Sequence, residues 1–307
     1  MGIAFLVASM VPAAAGAWTE QEISNGELRG TLTLPETSAS FPAALLIAGS
    51  GPVDRDGNFP GSPNDSLKLL AHGLAAQGIG SLRVDKRGIG GSHAAGTREE
   101  DLRFGTYVAD AASWLKLLRG ERRVSRVALI GHSEGALVAT LVAQQADLAG
   151  LILIAGAGEP AARLIERQLS AAGGPPALRE TSRRIAASLE KGEAVADIPP
   201  ELAVLYRAGV QNYLMSWFSL DPARELAKIT CPVLIVQGTT DLQVTVLDAQ
   251  RLAAGRPGSR LLLIEGMNHV LKQAPAERSA NRQTYVTPDL PLAPALLPAV
   301  VAFLQQP

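Results

Sequence analysis

Short continuous apolar runs recur along this chain, with stretches of helical period between them. Ala43–Ala48 reads as a strand buried on both faces, because a strand wet on one side would alternate polar and apolar residues, and Gly80–Val84, Val124–Ile130, Leu151–Ile154, Val233–Val236 and Leu261–Ile264 read as further strands. Ser66–Gln77, Phe104–Leu118, Glu134–Gln145, Val246–Ala254 and Leu296–Leu304 read as helices. Strands that alternate with helices need crossover connections, so the expected fold class is α/β: a mostly parallel sheet covered on both faces. Two segments depart from this rhythm. Residues 19–34 alternate polar and apolar around Ser24-Asn25-Gly26-Glu27, a hairpin signal. Residues 159–225 carry helical stretches, prolines and many charges but no clear strand.

Composition narrows the function classes. The 307 residues are 47% hydrophobic, enough for a large core. The formal net charge is -1, with no basic stripe, and aromatics are only 4%. Nucleic-acid binding therefore lacks both its electrostatic footprint and its stacking platforms. One cysteine excludes an intramolecular disulfide, and no cysteine–histidine cluster has zinc spacing. Cys231 reads as a small residue at the start of a buried strand, and no metal or cofactor is expected.

The first residues form an apolar run that ends in Ala15-Gly16-Ala17, which fits the A-x-A site of a signal peptide. Residues 1–17 are expected to be an export signal, with mature protein starting near Trp18 in the periplasm or outside the cell. The run lacks the basic start of such signals, so the alternative is an N-terminal helix packed on a cytoplasmic domain. It is too short for a stable membrane span, which takes about 20 apolar residues.

The chemistry centres on Gly131-His132-Ser133-Glu134-Gly135, where a strand runs into Gly-x-Ser-x-Gly and leaves as a helix. Such a turn forces strained backbone angles on the serine, and the residues two before and two after it must be small. Ser133 is the expected nucleophile, and the backbone N–H of Glu134 is aimed where an oxyanion would form. His132 belongs to the turn itself and is expected to pack or hydrogen-bond rather than react.

A serine needs a base, and the base needs a carboxylate to orient it. Of four histidines, His72 falls within a helix and His93 in a loop after Gly90-Gly91-Ser92. His269 follows the last strand, at the sheet edge where open α/β sheets place their sites. Asp241 lies just past the strand Val233–Val236, which satisfies the order serine, acid, histidine. Its alternative role is a helix cap; Asp248 and Glu265 are the reserve carboxylates. A second oxyanion donor is expected from Gly49-Ser50-Gly51-Pro52, where Ser50 or Gly51 can offer an N–H and Pro52 cannot.

With these pieces in place, the chain resembles bacterial α/β-hydrolases, specifically small carboxylesterases and serine-aminopeptidase-like hydrolases. The resemblance rests on Gly49–Asn58, Asp85-Lys86-Arg87-Gly88-Ile89-Gly90-Gly91-Ser92, Gly131–Gly135, Gln237–Asp241 and Gly266-Met267-Asn268-His269. It implies an eight-stranded, mostly parallel sheet, with residues 18–158 and 226–307 as the core and 159–225 as a helical cap. It implies Ser133, Asp241 and His269 as the triad and the N–H groups of Ser50 and Glu134 as the oxyanion hole. The substrate class implied is a small-molecule ester. Where such proteins often carry a histidine ahead of the oxyanion glycine, this chain has Ala48. Asp85–Ser92 lacks the Gly-Lys-Ser/Thr ending of a phosphate loop and is expected to tie loops together. Tyr206, Tyr213, Trp217 and Phe218 either line a substrate pocket or form the cap's own core. Two alternatives to an esterase stand. One is a peptidase that holds a substrate ammonium with Glu159, Glu166, Glu190, Glu193 or Glu201. The other is a non-catalytic binding protein on the same fold.

Overall fold

A computed structural model describes residues 16–306. The expected export signal therefore lies almost wholly outside the described residues.

The six apolar runs and the alternating segment 19–34 become eight strands: β1 Trp18–Asn25, β2 Leu28–Pro35, β3 Phe41–Ile47, β4 Gly80–Val84, β5 Val124–His132, β6 Gly150–Ile154, β7 Val233–Gly238 and β8 Arg260–Ile264. They form one sheet in the order β1-β2-β4-β3-β5-β6-β7-β8. β1 and β2 are the expected antiparallel hairpin, and Gly26 supplies the positive φ of 62° that its turn needs. β2 also runs antiparallel to β4; from β4 to β8 every pairing is parallel. This is the α/β-hydrolase fold.

Strand periodicity explains why the runs are continuously apolar. Neighbouring residues point to opposite faces, and on β3 to β7 both faces are covered, whereas the edge strand β8 leaves Leu261 and Leu263 exposed. Leu45, Leu129, Leu151 and Ile235 join one core with Trp114, Leu118, Leu137 and Leu252. Those four come from α2 (Phe104–Arg119), α3 (Glu134–Ala143) and α9 (Val246–Gly255). One position along each strand, Leu46, Ile130, Ile152 and Val236 join the opposite core with Leu70, Leu74, Val300 and Phe303. These come from α1 (Ser66–Ala76) and α11 (Leu296–Leu304).

Between β6 and β7 the chain is helical: α4 Ala161–Ala171, α5 Pro176–Glu190, α6 Ala203–Tyr206, α7 Ala208–Phe218 and α8 Pro222–Leu226. The first four share a third apolar core, with Ile185, Leu189, Leu202, Tyr206, Leu214 and Phe218 buried together. Leu226 of α8 instead joins the core of the sheet. α10 (Arg278–Gln283) follows β8; it is short and polar, and no periodic stripe announces it. Among the described residues, no helix is long and apolar enough to cross a membrane.

Candidate active site

β5 ends at His132 and α3 begins at Glu134, so Ser133 alone makes the turn, with φ 55° and ψ -121°. A non-glycine residue there is strained, and such strain persists only where the surroundings over-determine it. The Ser133 N–H donates to the Ile154 carbonyl at the end of β6, at 2.9 Å. A Cβ on Gly131 would sit 2.2 Å from the Gly135 carbonyl oxygen, and one on Gly135 would sit 2.2 Å from that of Ile47. Both positions require glycine because backbone meets backbone there. A Cβ on Gly49 would come within 3.0 Å of the Ser133 Cβ, so the loop after β3 runs alongside the serine.

Asp241 and His269 sit on the loops after β7 and β8, and His269 Nδ1 is 2.8 Å from Asp241 Oδ2. Asp241 Oδ1 also accepts the N–H groups of Gln243 and Val244 at 2.7 and 3.0 Å, and Gln237 Nε2 approaches Oδ2 at 3.2 Å. Burial alone would raise this carboxyl, but the charge of His269 and these hydrogen bonds outweigh it and hold Asp241 below the usual carboxylate range. Asp241 does not cap α9. That helix is capped by Thr245, whose N–H donates to Asp248 Oδ2 at 2.8 Å. Asp248 is fully buried and bonded to Arg167 through both oxygens at 2.8 and 2.7 Å. Glu265 is exposed in the turn after β8.

The His269 loop is laced to its surroundings by side chains that sequence reasoning missed. Asn268 Nδ2 donates to Thr284 Oγ1 at 2.6 Å, and Asn281 Nδ2 donates to the Thr240 carbonyl at 2.9 Å. Gly238 allows the two loops to touch, since a Cβ there would meet the Met267 carbonyl at 1.9 Å. The only local sign of these partners is a cluster of small polar residues, which reads equally well as an ordinary loop. His132 is buried and its Nε2 lies 2.8 Å from the His269 carbonyl oxygen. Burial, reinforced by the neighbouring His269, pushes His132 down to about 3, so it is neutral and donates this bond. His72 pairs with Glu20 and His93 is exposed. Burial raises the Cys231 thiol, which argues against a reactive thiolate there.

Ser133 and His269 face one cavity of about 310 Å³ whose apolar wall is Val53, Phe59, Val270 and Tyr285. Gly49 and Ser50 form part of its rim. Glu134 divides its roles. Its backbone opens α3 beside Ser133, while its buried carboxyl faces a separate cavity of about 370 Å³ with Lys86, Tyr107 and Tyr213. Burial raises the Glu134 carboxyl, and the charge of Lys86 offsets part of that.

The aromatic cluster splits. Tyr206 and Phe218 belong to the core of the helical segment, while Tyr213 and Trp217 bridge it to the sheet body, their ring centroids 6.0 and 5.9 Å from that of Phe104, Tyr213 tilted and Trp217 stacked. None of the four lines the Ser133 cavity. The Asp85 loop is the expected tie: Asp85 accepts the N–H groups of Arg55 and Gly91, both at 2.8 Å, and Arg87 holds Asp110 through two nitrogens at 2.8 and 2.6 Å.

This geometry has relatives. The sequence profile of the family described as serine aminopeptidase, S33, matches residues 65–273. Esterase EstD of Thermotoga maritima is 30% identical over 260 residues, which are 83% of this chain and 60% of that protein. The chain thus spans about 60% of the length of that curated relative. Among solved structures, ferulic-acid-bound Est1E of Butyrivibrio proteoclasticus superposes with a TM-score of 0.57 at 18% identity, covering 92% of this chain and 96% of that one. A puromycin-hydrolyzing peptidase of Mycobacterium tuberculosis gives 0.56 at 19% identity, covering 96% of this chain and 41% of that one. The structures share the fold; the profile carries the kinship, and the chain belongs to the serine aminopeptidase S33 family of the α/β-hydrolase superfamily.

Proposed function

We propose that the protein is a serine esterase, cleaving carboxylic esters of small substrates through an acyl-enzyme on Ser133. One observation carries the reading: a serine held in strained geometry faces the same cavity as a histidine whose Nδ1 is bonded to a buried carboxylate. In this mechanism Ser133 Oγ attacks the ester carbonyl as His269 Nε2 takes its proton, and Asp241 stabilises the imidazolium. The N–H groups of Ser50 and Glu134 bind the oxyanion. His269 returns the proton to the departing alkoxide, and the alcohol leaves. Water, deprotonated by His269, then attacks the acyl-enzyme and frees the acid and Ser133.

The choice of ester over aminoacyl substrate rests on the cavity lining. No carboxylate side chain lines the Ser133 cavity among the described residues, so nothing there would hold a substrate ammonium. Glu159 is paired with Arg167 and Arg251, and Glu166 with Arg183. The relative named an esterase supports the same reading. Parallel assays on p-nitrophenyl acyl esters and aminoacyl-anilides test it. Turnover of the esters with little on the anilides is expected; the reverse preference favours the peptidase, and inertness to both favours a binding protein.

Two further parts of this reading are proposals. Residues 159–225 act as the cap, supported by Arg207, Val210 and Tyr213 closing the second cavity over Gly51 and Pro52. Residues 1–17 act as an export signal, supported by Ala15-Gly16-Ala17 and by β1 starting at Trp18. N-terminal sequencing of a periplasmic fraction should then read from Trp18, and an intact Met1 in a cytoplasmic pool contradicts it.

A further inference from the structure

Lys86 follows Asp85 beyond β4 and runs beneath the loop Gly49-Ser50-Gly51-Pro52. Its Nζ donates to the carbonyls of both Gly49 and Gly51. The centroid of the Tyr107 ring lies 5.7 Å from it, and the charge of Glu134 acts on it. No carboxylate oxygen comes within 4.0 Å of Nζ among the described residues, so backbone carbonyls, not an ion pair, are its partners. Ala48, just ahead of the loop, has no side-chain group that can brace it.

Peptide geometry gives this arrangement a consequence. The Gly49 carbonyl and the Ser50 N–H belong to one peptide unit, and no described peptide bond is cis. In a trans peptide the two groups point in opposite directions. Holding the Gly49 oxygen on Lys86 therefore turns the Ser50 N–H the other way, toward the cavity that Ser50 shares with Ser133. The Gly51 carbonyl belongs to the Gly51–Pro52 unit, which has no N–H. The Gly51 N–H sits on the Ser50 carbonyl unit, which Lys86 does not hold. Hydrogen bonding at a peptide oxygen also polarises that unit and strengthens its N–H as a donor.

We propose that Lys86 is a positioning residue for the oxyanion hole: it clamps the Gly49 and Gly51 carbonyls and so aims the Ser50 N–H, in preference to that of Gly51, at the developing oxyanion. The proposal rests on the esterase reading and extends it to a residue that touches neither substrate nor triad. Lowered burial cost follows from the same contacts, since the charge is solvated by two peptide dipoles although burial still depresses the Lys86 ammonium.

The test is Lys86→Met, which keeps the alkyl stem and deletes the donors, with Lys86→Gln, which keeps one amide donor, as a second variant. Rates are taken per active site, by titration with a fluorophosphonate, alongside KM, Tm and the inhibition constant of a trifluoromethyl ketone, whose hemiketal oxyanion occupies the hole. Loss of one oxyanion donor costs about 10²–10³ in kcat, and loss of its brace should cost less, about 10–100-fold. Lys86→Met should lose that much kcat with KM little changed, the ketone should weaken by the same factor as kcat/KM, and Lys86→Gln should fall between. A wild-type kcat in either folded variant overturns the role, whatever its Tm. Failure of both variants to fold assigns Lys86 to stability and also overturns it. Inertness of the wild-type protein toward esters overturns the esterase reading itself, and the Lys86 role with it.

Discussion

Asp241 Oδ2 lies 2.8 Å from His269 Nδ1 although 28 residues separate them in the chain. β7 and β8 are adjacent and parallel, so the loops leaving their C-terminal ends emerge side by side. The Thr240 N–H then donates to the Met267 carbonyl at 3.1 Å and locks one loop to the other. The carboxylate meets the imidazole because the sheet delivers both to one edge.

This pairing separates two carboxylates that the sequence alone leaves in competition. Asp241→Asn should keep the fold and lower kcat by up to about 10⁴-fold, because the amide favours the wrong imidazole tautomer. Asp248→Asn should keep kcat and lose stability, about 1–3 kcal/mol, since it strips a charged partner from Arg167. Steady-state kinetics and urea unfolding on both variants check this, and an inactive Asp248→Asn beside an active Asp241→Asn reverses the assignment.

The elbow predicts intolerance rather than slow chemistry at its glycines. Gly131→Ala places a Cβ 2.2 Å from the Gly135 oxygen and 2.6 Å from the Ala136 Cα. Neither neighbour is a flexible side-chain end, so β5 and α3 must separate, at a cost of about 1–3 kcal/mol or more. Thermal unfolding should show a large drop in Tm; an unchanged Tm means that the turn is looser than its backbone angles imply.

His132 carries a pH signature. Its folded value is about 3 against an ordinary 6.5, chiefly through burial. Between those values the unfolded chain takes up a proton that the folded protein refuses, so this residue makes stability fall as pH drops through the window. The slope is at most about 1.4 kcal/mol per pH unit. His132→Gln, which retains a donor for the His269 carbonyl and does not titrate, should lose stability less steeply between pH 6.5 and 4. Urea unfolding across that range measures it, and parallel curves for the two proteins contradict the assignment.

The sheet, and the places of Ser133, Asp241 and His269 at its edge, were legible in the sequence for physical reasons. Buried parallel strands must be apolar throughout, and the elbow demands glycine at 131 and 135, so both leave local marks. Asp241 and His269 follow from their places after successive strands. The supporting polar groups leave no such mark. Lys86 reaches Gly49 across 37 residues, and Asn281 reaches Thr240 across 41. A buried polar side chain is recognised by its partners, and those partners come from the fold. The aromatic residues 206–218 failed to resolve for a related reason: helical spacing assigns them to one segment but not to the face that packs on Phe104.

The most direct test of the central claim is covalent. The intact protein is treated with a fluorophosphonate, its mass is read, and the adduct is mapped by peptide fragmentation, with ester turnover followed in parallel. One adduct per chain on Ser133, and loss of both adduct and turnover in Ser133→Ala, is the expected result. An adduct on another residue, or undiminished turnover in Ser133→Ala, contradicts the account.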